Sequence, residues 1–283
     1  LTESSVEKLD MNSSPRRVTS LVVEHTVVTA QVRLLVLDAP EVAKTCVPGQ
    51  FVHVECAPAG LVDPLLRRPL SVHDADSAAG RASILYELRG RGTEALSRKK
   101  VGDEVDILGP LGRGFPLPAT ADDPVVFVAG GIGVAPLYFL ARQVASQVCL
   151  RDMTLLIGAR SECLLTCIDK FRDLGCHVHT ATDDGSQGFQ GLVTELFQEH
   201  MSSIQERRRP VVYASGPMPM LSALSKLTAQ HDLTCWVSTE AKMACGVGAC
   251  LGCAIKVRNG DSWKYVRCCK EGPVFDANEV IWE

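Results

Sequence analysis

Hydrophobic positions along this chain fall into two textures, and the change comes near residue 120. From Val18 to Leu117 short apolar runs recur between turn residues: Leu21–Val23, Val27–Val28, Val32–Leu37, Phe51–Glu55, Leu70–Val72, Ala82–Tyr86 and Glu104–Leu108. Strands this short and this regularly spaced predict a sandwich or a barrel. Pro48-Gly49 and the Gly109–Gly112 stretch supply turns, because proline presets φ and glycine tolerates φ above zero.

After Asp122-Asp123-Pro124 the pattern alternates between two periods. Val125–Ala129 is apolar without interruption, as expected of a strand buried on both faces. A helix follows over roughly Pro136–Ser146. Then come strand Met153–Gly158, helix Leu164–Leu174, strand Cys176–Thr180, helix Val193–His200, strand Val211–Ala214 and helix Pro219–His231. Such alternation predicts a parallel, doubly wound sheet. The last stretch has no helical period. The predicted division is a disordered tail over 1–16, a β-barrel over 17–119, an α/β unit over 120–237 and a small module over 238–283.

Length and composition agree with this division without adding to it. A chain of 283 residues, 46% hydrophobic and 22% charged, reads as an ordinary globular protein of about two domains with an appendage. A net charge of −4 gives no reason to expect nucleic acid, and Arg207–Arg209 reads as a solvated loop ahead of a buried strand. No apolar run reaches eighteen residues, so no membrane span is expected, and Leu1–Arg17 lacks the apolar core of a signal peptide. Twelve cysteines in a chain of this size read as reduced thiols of a cytoplasmic protein. Cys46, Cys56, Cys149, Cys163, Cys167, Cys176 and Cys235 lie among apolar residues and read as small buried hydrophobes.

The remaining cysteines change the picture. Cys245, Cys250 and Cys253 form C-x4-C-x2-C, with a fourth thiol 15 or 16 residues later at Cys268 or Cys269. That opening spacing is the one associated with plant-type [2Fe–2S] centres. Glycines at 246, 248 and 252 keep Cβ atoms out of the loop, so main-chain N–H groups can approach sulfur. Structural zinc is the competing reading, but zinc knuckles usually bring two C-x2-C pairs, and only one is present here.

Three loops after predicted strands of the α/β unit carry ligand-binding chemistry. G-G-I-G-V-A-P at 130–136 contains Gly130, Gly131 and Gly133 and opens a helix, with Pro136 where a first-turn proline is tolerated. Asp183-Asp184-Gly185-Ser186 and Ser215-Gly216-Pro217 follow two other strands of the same sheet. The carboxyl ends of parallel strands are where such sheets hold dinucleotides, although each loop alone is also ordinary turn chemistry. In the β-rich half, Arg67-Arg68-Pro69-Leu70-Ser71 and Gly90-Arg91-Gly92-Thr93 offer guanidinium and main-chain donors for phosphate.

R-P-L-S at 68–71, G-R-G-T at 90–93, G-G-I-G-V-A-P at 130–136 and S-G-P-M-P-M at 215–220 resemble the ferredoxin–NADP reductase superfamily. S-T-E-A-K-M-A-C-G-V-G-A-C-L-G-C at 238–253 and C-K-E-G-P-V-F-D at 269–276 resemble one branch of it, the electron-transfer subunits of bacterial NAD-linked dihydroorotate dehydrogenase. The resemblance implies a FAD-binding barrel, a NAD-binding doubly wound domain and a C-terminal [2Fe–2S] module. It implies FAD contacts at Arg68, Pro69, Leu70, Ser71, Leu85, Tyr86, Glu87, Gly92 and Thr93. It also implies cluster ligands at Cys245, Cys250, Cys253 and the cysteine just before Lys270, which is Cys269; the family's gap of 15 counted from Cys253 would select Cys268 instead. Ser215 stands where reductases of the superfamily often carry cysteine. The implied role is in pyrimidine biosynthesis: an FMN-containing catalytic partner, in a heterotetramer of two of each subunit, oxidises dihydroorotate, and NAD+ receives the electrons. No catalytic triad is expected, and Glu240 is placed either near the flavin or in a surface turn. Related flavin/iron–sulfur subunits of glutamate synthase-like, transhydrogenase or hydrogenase complexes form a second reading, and a zinc-stabilised nucleotide-binding regulator a third.

Overall fold

The computed structural model describes residues 15–57, 60–120, 123–147, 152–203 and 209–282. The expected tail lies outside these residues except for Pro15 and Arg16, and so do Cys149, Arg207 and Arg208.

Six antiparallel strands close a barrel in the order β1-β2-β5-β4-β3-β6: β1 (Arg16–Val27), β2 (Val32–Asp38), β3 (Phe51–Val54), β4 (Arg68–Asp76), β5 (Arg81–Glu87) and β6 (Glu104–Leu111). Closure comes from β1, which pairs with β2 on one side and with β6 on the other, beginning at Arg16 opposite Gly109. Alternate residues point inward, and Leu35, Leu37, Val52, Val54, Ile84 and Ile107 fill the interior. Two short helices missing from the sequence reading close the barrel's gaps: α1 (Pro40–Thr45), led in by its proline, and α2 (Arg91–Leu96). One turn and a half of helix carries too few periodic positions to register.

The second half is a sheet with helices on both faces. Its strands and helices are β7 (Val125–Gly130), α3 (Val134–Gln147), β8 (Met153–Ala159), α4 (Ile168–Asp173), β9 (His177–Thr182), β10 (Phe189–Gln190), α5 (Val193–Ser203), β11 (Val211–Ser215), α6 (Met218–Gln230) and β12 (Cys235–Ser238). The central strand shows why the run at 125–129 had to be apolar throughout. Phe127 and Ala129 face the core beneath α3 and α4, while Val126 and Val128 face the core beneath α5 and α6. Helix α4 starts at Ile168, four residues later than the pattern suggests, and Cys163 sits on an exposed turn ahead of it. Cys163 is thus not the core hydrophobe expected, Cys167, at φ +65, packs half buried against the core, and Cys46, Cys56, Cys176 and Cys235 are buried.

The cysteine-rich segment contributes a hairpin, β13 (Ala254–Asn259) with β14 (Ser262–Arg267), and then β15 (Val274–Asp276). β15 returns to the large sheet and pairs antiparallel with β12, Val237 opposite Phe275. The full order is β10-β9-β8-β7-β11-β12-β15. Among the described residues no helix is long and apolar enough to cross a membrane.

Candidate cofactor cleft and metal centre

Strand order reverses between β7 and β11, and a doubly wound sheet opens a crevice at such a point. A cleft of about 450 Å³ lies there, walled on its other side by the barrel. β4 delivers Arg68, Pro69, Leu70 and Ser71 to it, the end of β5 delivers Leu85, Tyr86 and Glu87, and the start of α2 delivers Gly92 and Thr93. A Cβ on Gly92 would stand 2.6 Å from Arg68 Nε, so the arginine side chain rests directly on the turn. The Thr93 hydroxyl accepts from Arg89 N–H at 2.9 Å and donates to the Gly90 carbonyl at 3.1 Å, which fixes the turn's shape. Tyr86 is 1% exposed, and its hydroxyl meets His25 Nε2 at 2.9 Å. Its ring is therefore part of the barrel core, and burial raises its pKa.

On the sheet side Gly133 lines the cleft, and two loops interlock behind it. A Cβ on Gly130 would come within 2.7 Å of Met220 Sδ and Pro217 Cδ, and one on Gly133 within 2.2 Å of the Ser215 carbonyl oxygen. Gly131 holds φ at +53, which suits glycine. Gly130, Gly131, Gly216 and Pro217 shape this floor, while Ser215 is the member of its loop that faces the space. Asp183 and Asp184 are not part of the wall. They follow β9, two strands from β7, which at the usual spacing is about 10 Å away. Asp184 instead accepts from the Ser186 N–H at 3.0 Å and hydroxyl at 2.6 Å, and these bonds hold its carboxyl below the usual range.

The wall has a third side that sequence reasoning missed: Ser238 at the end of β12, Thr239, Ala241 and Met243 after it, and Pro273 before β15. Glu240, suspected from the sequence, lies here and reaches Arg89 of the barrel, 3.8 Å away. The signal was the four-residue strand β12, whose carboxyl end joins those of β7 and β11. Its mixed pattern, Cys-Trp-Val-Ser, is too short to declare itself.

The cysteine loop lies behind that third side. Gly246 and Gly248 hold φ at +71 and +81, and the loop folds so that its N–H groups point at sulfur. Gly248 N–H donates to Cys269 Sγ at 3.1 Å, Cys250 N–H to Cys245 Sγ at 3.4 Å, and Cys269 N–H to Cys253 Sγ at 3.5 Å. Partial burial pushes the Cys245 thiol up, but N–H donors of Val247, Cys250 and Ala249 outweigh it and bring the pKa to about 6. Burial and the neighbouring Cys253 push Cys269 up. Arg267 at the end of β14 donates to the Gly248 carbonyl at 2.8 Å and pairs with Glu271, anchoring the loop to the hairpin.

The thiols form two couples, Cys245 with Cys250 and Cys253 with Cys269. Among the described residues no three ligating side chains close on one ion-sized point. Main-chain N–H groups aimed at the sulfurs of Cys245, Cys253 and Cys269 fit an iron–sulfur group, whose sulfur charge such donors offset. Cys268 is turned away: its Sγ lies 3.5 Å from Thr239 Oγ1 and 3.6 Å from the Thr239 carbonyl oxygen. Register explains this, because the hairpin sets Cys268 N–H on the Cys253 carbonyl at 3.0 Å and leaves the next residue to face the loop. Thr239 lines the cleft and touches Cys268; Phe51 lines the cleft and shares one buried cluster with Cys253, Cys268 and Cys269. A single layer of side chains thus separates cleft from cysteine centre.

A family model described as the iron-sulfur cluster binding domain of dihydroorotate dehydrogenase B matches residues 240–281, and one described as an oxidoreductase NAD-binding domain matches residues 127–226. The chain is 44% identical over 246 residues to the dihydroorotate dehydrogenase B (NAD(+)), electron transfer subunit, of Desulforamulus reducens, covering 87% of this chain and 91% of that one. It belongs to the family of dihydroorotate dehydrogenase B electron transfer subunits. The same subunit of Geobacillus kaustophilus is 42% identical over 235 residues, covering 83% of this chain and 86% of its own. The solved structure of a NADH-dependent reduced ferredoxin-NADP oxidoreductase, described for flavin-based electron bifurcation, superposes with a TM-score of 0.80 at 28% identity, covering 96% of this chain and 92% of that one. The ferredoxin reductase of carbazole 1,9a-dioxygenase shares the fold at a TM-score of 0.64 and 20% identity, over 78% of this chain and 68% of that one. An electron transfer subunit accordingly carries a ferredoxin-reductase-like barrel, a NAD-binding sheet and an iron–sulfur module on one chain.

Proposed function

We propose that this chain relays electrons from an FMN-containing dihydroorotate-oxidising partner to NAD+, with FAD in the cleft and [2Fe–2S] on Cys245, Cys250, Cys253 and Cys269. One observation carries the reading: the cleft and the cysteine centre share the wall made by Thr239 and Phe51. FAD, when bound, exchanges electrons singly or in pairs, which suits a site between a one-electron cluster and a hydride carrier.

The residues supply binding and orientation. Arg68, beside the turn at Gly92, offers its guanidinium to phosphate, and Ser71 adds a hydroxyl from the same strand. Main-chain groups at Leu85–Glu87 bound the cleft along the barrel. The glycine-rich turn, with Ile132 and Gly133 on the cleft, lets nicotinamide approach from the sheet side, with Ser215 beside it. In the cysteine loop the N–H groups that now meet thiols would meet the charge on cluster sulfur. The working division is a FAD unit over 17–119, a NAD unit over 120–237 and a cluster unit over 238–283. The partner docks on the cluster unit, two of each subunit assemble, and the complex works in the cytoplasm. Free thiols at every described cysteine suit such a compartment.

The test is to co-purify the chain anaerobically with its partner and follow orotate formation coupled to NADH. The expected material is yellow-brown, holds flavin, iron and acid-labile sulfide, and couples the two reactions. Oxidation of dihydroorotate by the isolated chain, or a colourless zinc protein, would overturn the proposal.

A further inference from the structure

β3 divides its side chains between two surroundings. Val52 and Val54 fill the barrel, whereas Phe51 belongs to the buried cluster that holds Cys253, Cys268 and Cys269. His53 is two residues from Phe51 and shares its face, so it too is directed at the cysteine module. It is 1% exposed, and among the described residues neither ring nitrogen has a hydrogen-bond partner of good geometry. Buried polar groups are nearly always partnered, so this ring asks for an explanation. A phenyl ring would fill the same space without an unmet polar atom, as Phe51 does next door.

The ring lies against the turn between the first two cluster cysteines. A Cβ on Gly246 would stand 2.7 Å from His53 Nδ1 and 3.0 Å from Cε1, so glycine is what lets the imidazole approach. The Cys245 main chain lies among its polar surroundings, but neither ring nitrogen meets it in a hydrogen bond. An imidazole ring always carries at least one N–H, so a donor without a partner among the described residues is held against this turn.

We propose that His53 donates this N–H to a sulfur of the iron–sulfur group at the Cys245 end of the loop and thereby raises the group's reduction potential. The inference rests on the cluster assignment made above. Reduction adds negative charge to the sulfurs, and a donor held against them favours the reduced form.

The whole chain, co-purified anaerobically with its partner, is poised at a series of potentials and the reduced cluster counted by electron paramagnetic resonance. In His53→Phe the reduced-to-oxidised ratio at a fixed potential should fall about tenfold, which is about 59 mV for a one-electron couple. His53→Gln, which keeps an N–H, should recover part of the loss, and the flavin midpoint should not move. A wild-type cluster midpoint in His53→Phe with iron and sulfide retained overturns the proposal. If that variant fails to assemble, the native chain labelled with ¹⁵N-histidine answers instead. Pulsed resonance should detect a histidine nitrogen coupled to the reduced cluster, and its absence overturns the proposal. Native material without iron and sulfide sinks the parent assignment, a distinguishable failure.

Discussion

Gly133 and Ser215 approach so closely that a Cβ on the glycine would stand 2.2 Å from the serine's carbonyl oxygen and 2.8 Å from Gly216 Cα. Both obstacles are backbone, so no rotamer change relieves the clash. Gly133→Ala should therefore pry apart the loops after β7 and β11. The expected cost is about 1–3 kcal/mol of stability, as for other overpacked sites. NADH-driven reduction of an artificial acceptor should fall at least about tenfold, corresponding to 1.4 kcal/mol or more, while FAD content is retained. Thermal melting and flavin counting on the same preparation separate the two effects.

The two adjacent cysteines make opposite predictions. Cys269 accepts the Gly248 N–H and couples with Cys253, whereas Cys268 is closed in by Thr239. Cys269→Ser should abolish or severely deplete iron and sulfide, and Cys268→Ser should keep both. Equal loss in the two variants would show that the hairpin register described above does not decide the ligand.

Arg68 carries the prediction for the flavin. Its guanidinium rests on the Gly92 turn and donates to the Leu66 carbonyl, held ready at the cleft wall. Losing a charge-assisted hydrogen bond to phosphate costs about 1.5–3 kcal/mol. Arg68→Ala should weaken FAD retention by roughly ten- to a hundredfold on that basis. Equilibrium dialysis of the deflavinated protein would measure it, and undiminished binding would remove Arg68 from the site.

Acid should loosen the loop through Glu271. Hydrogen bonding to Arg267 is the largest influence on this carboxyl and lowers its pKa to about 2, from an ordinary value of 4.5. A depressed folded-state pKa means the stabilisation is complete above about pH 4.5 and disappears as pH falls towards 2. Glu271→Gln should thus melt below the wild type at pH 6, and the gap should narrow on approaching pH 3. A gap independent of pH would assign the Arg267 pairing no such role.

What could be read from the chain was set by how far each signal reaches. The apolar run at 125–129 announces a strand buried on both sides because that demand falls on every one of its residues. The short apolar runs between turns, such as 82–86, announce barrel strands for a similar local reason. Arg68–Ser71 and Gly92–Thr93 were legible as wall residues because phosphate chemistry leaves a dense local trace. Thr239 and Pro273 were not, since their place depends on β15 travelling back to pair with β12. Asp183 and Asp184 illustrate the converse: the loop was rightly placed at a strand's carboxyl end, but strand order put it two strands from the crevice. The motif before Lys270 pointed to Cys269 and the count of intervening residues to Cys268, and the alternation at the hairpin's end supports the motif.

The pairing of β12 with β15 has a mechanical corollary. The strands that flank the thiol-bearing module, β12 and β15, pair through Trp236, Val237 and Ser238 in the same hydrogen-bonded lattice that carries Gly130 and Ser215. Tunnelling distance between the inorganic centre and the crevice is then a property of a rigid slab. Breathing of the molecule would have to bend that slab to detune it.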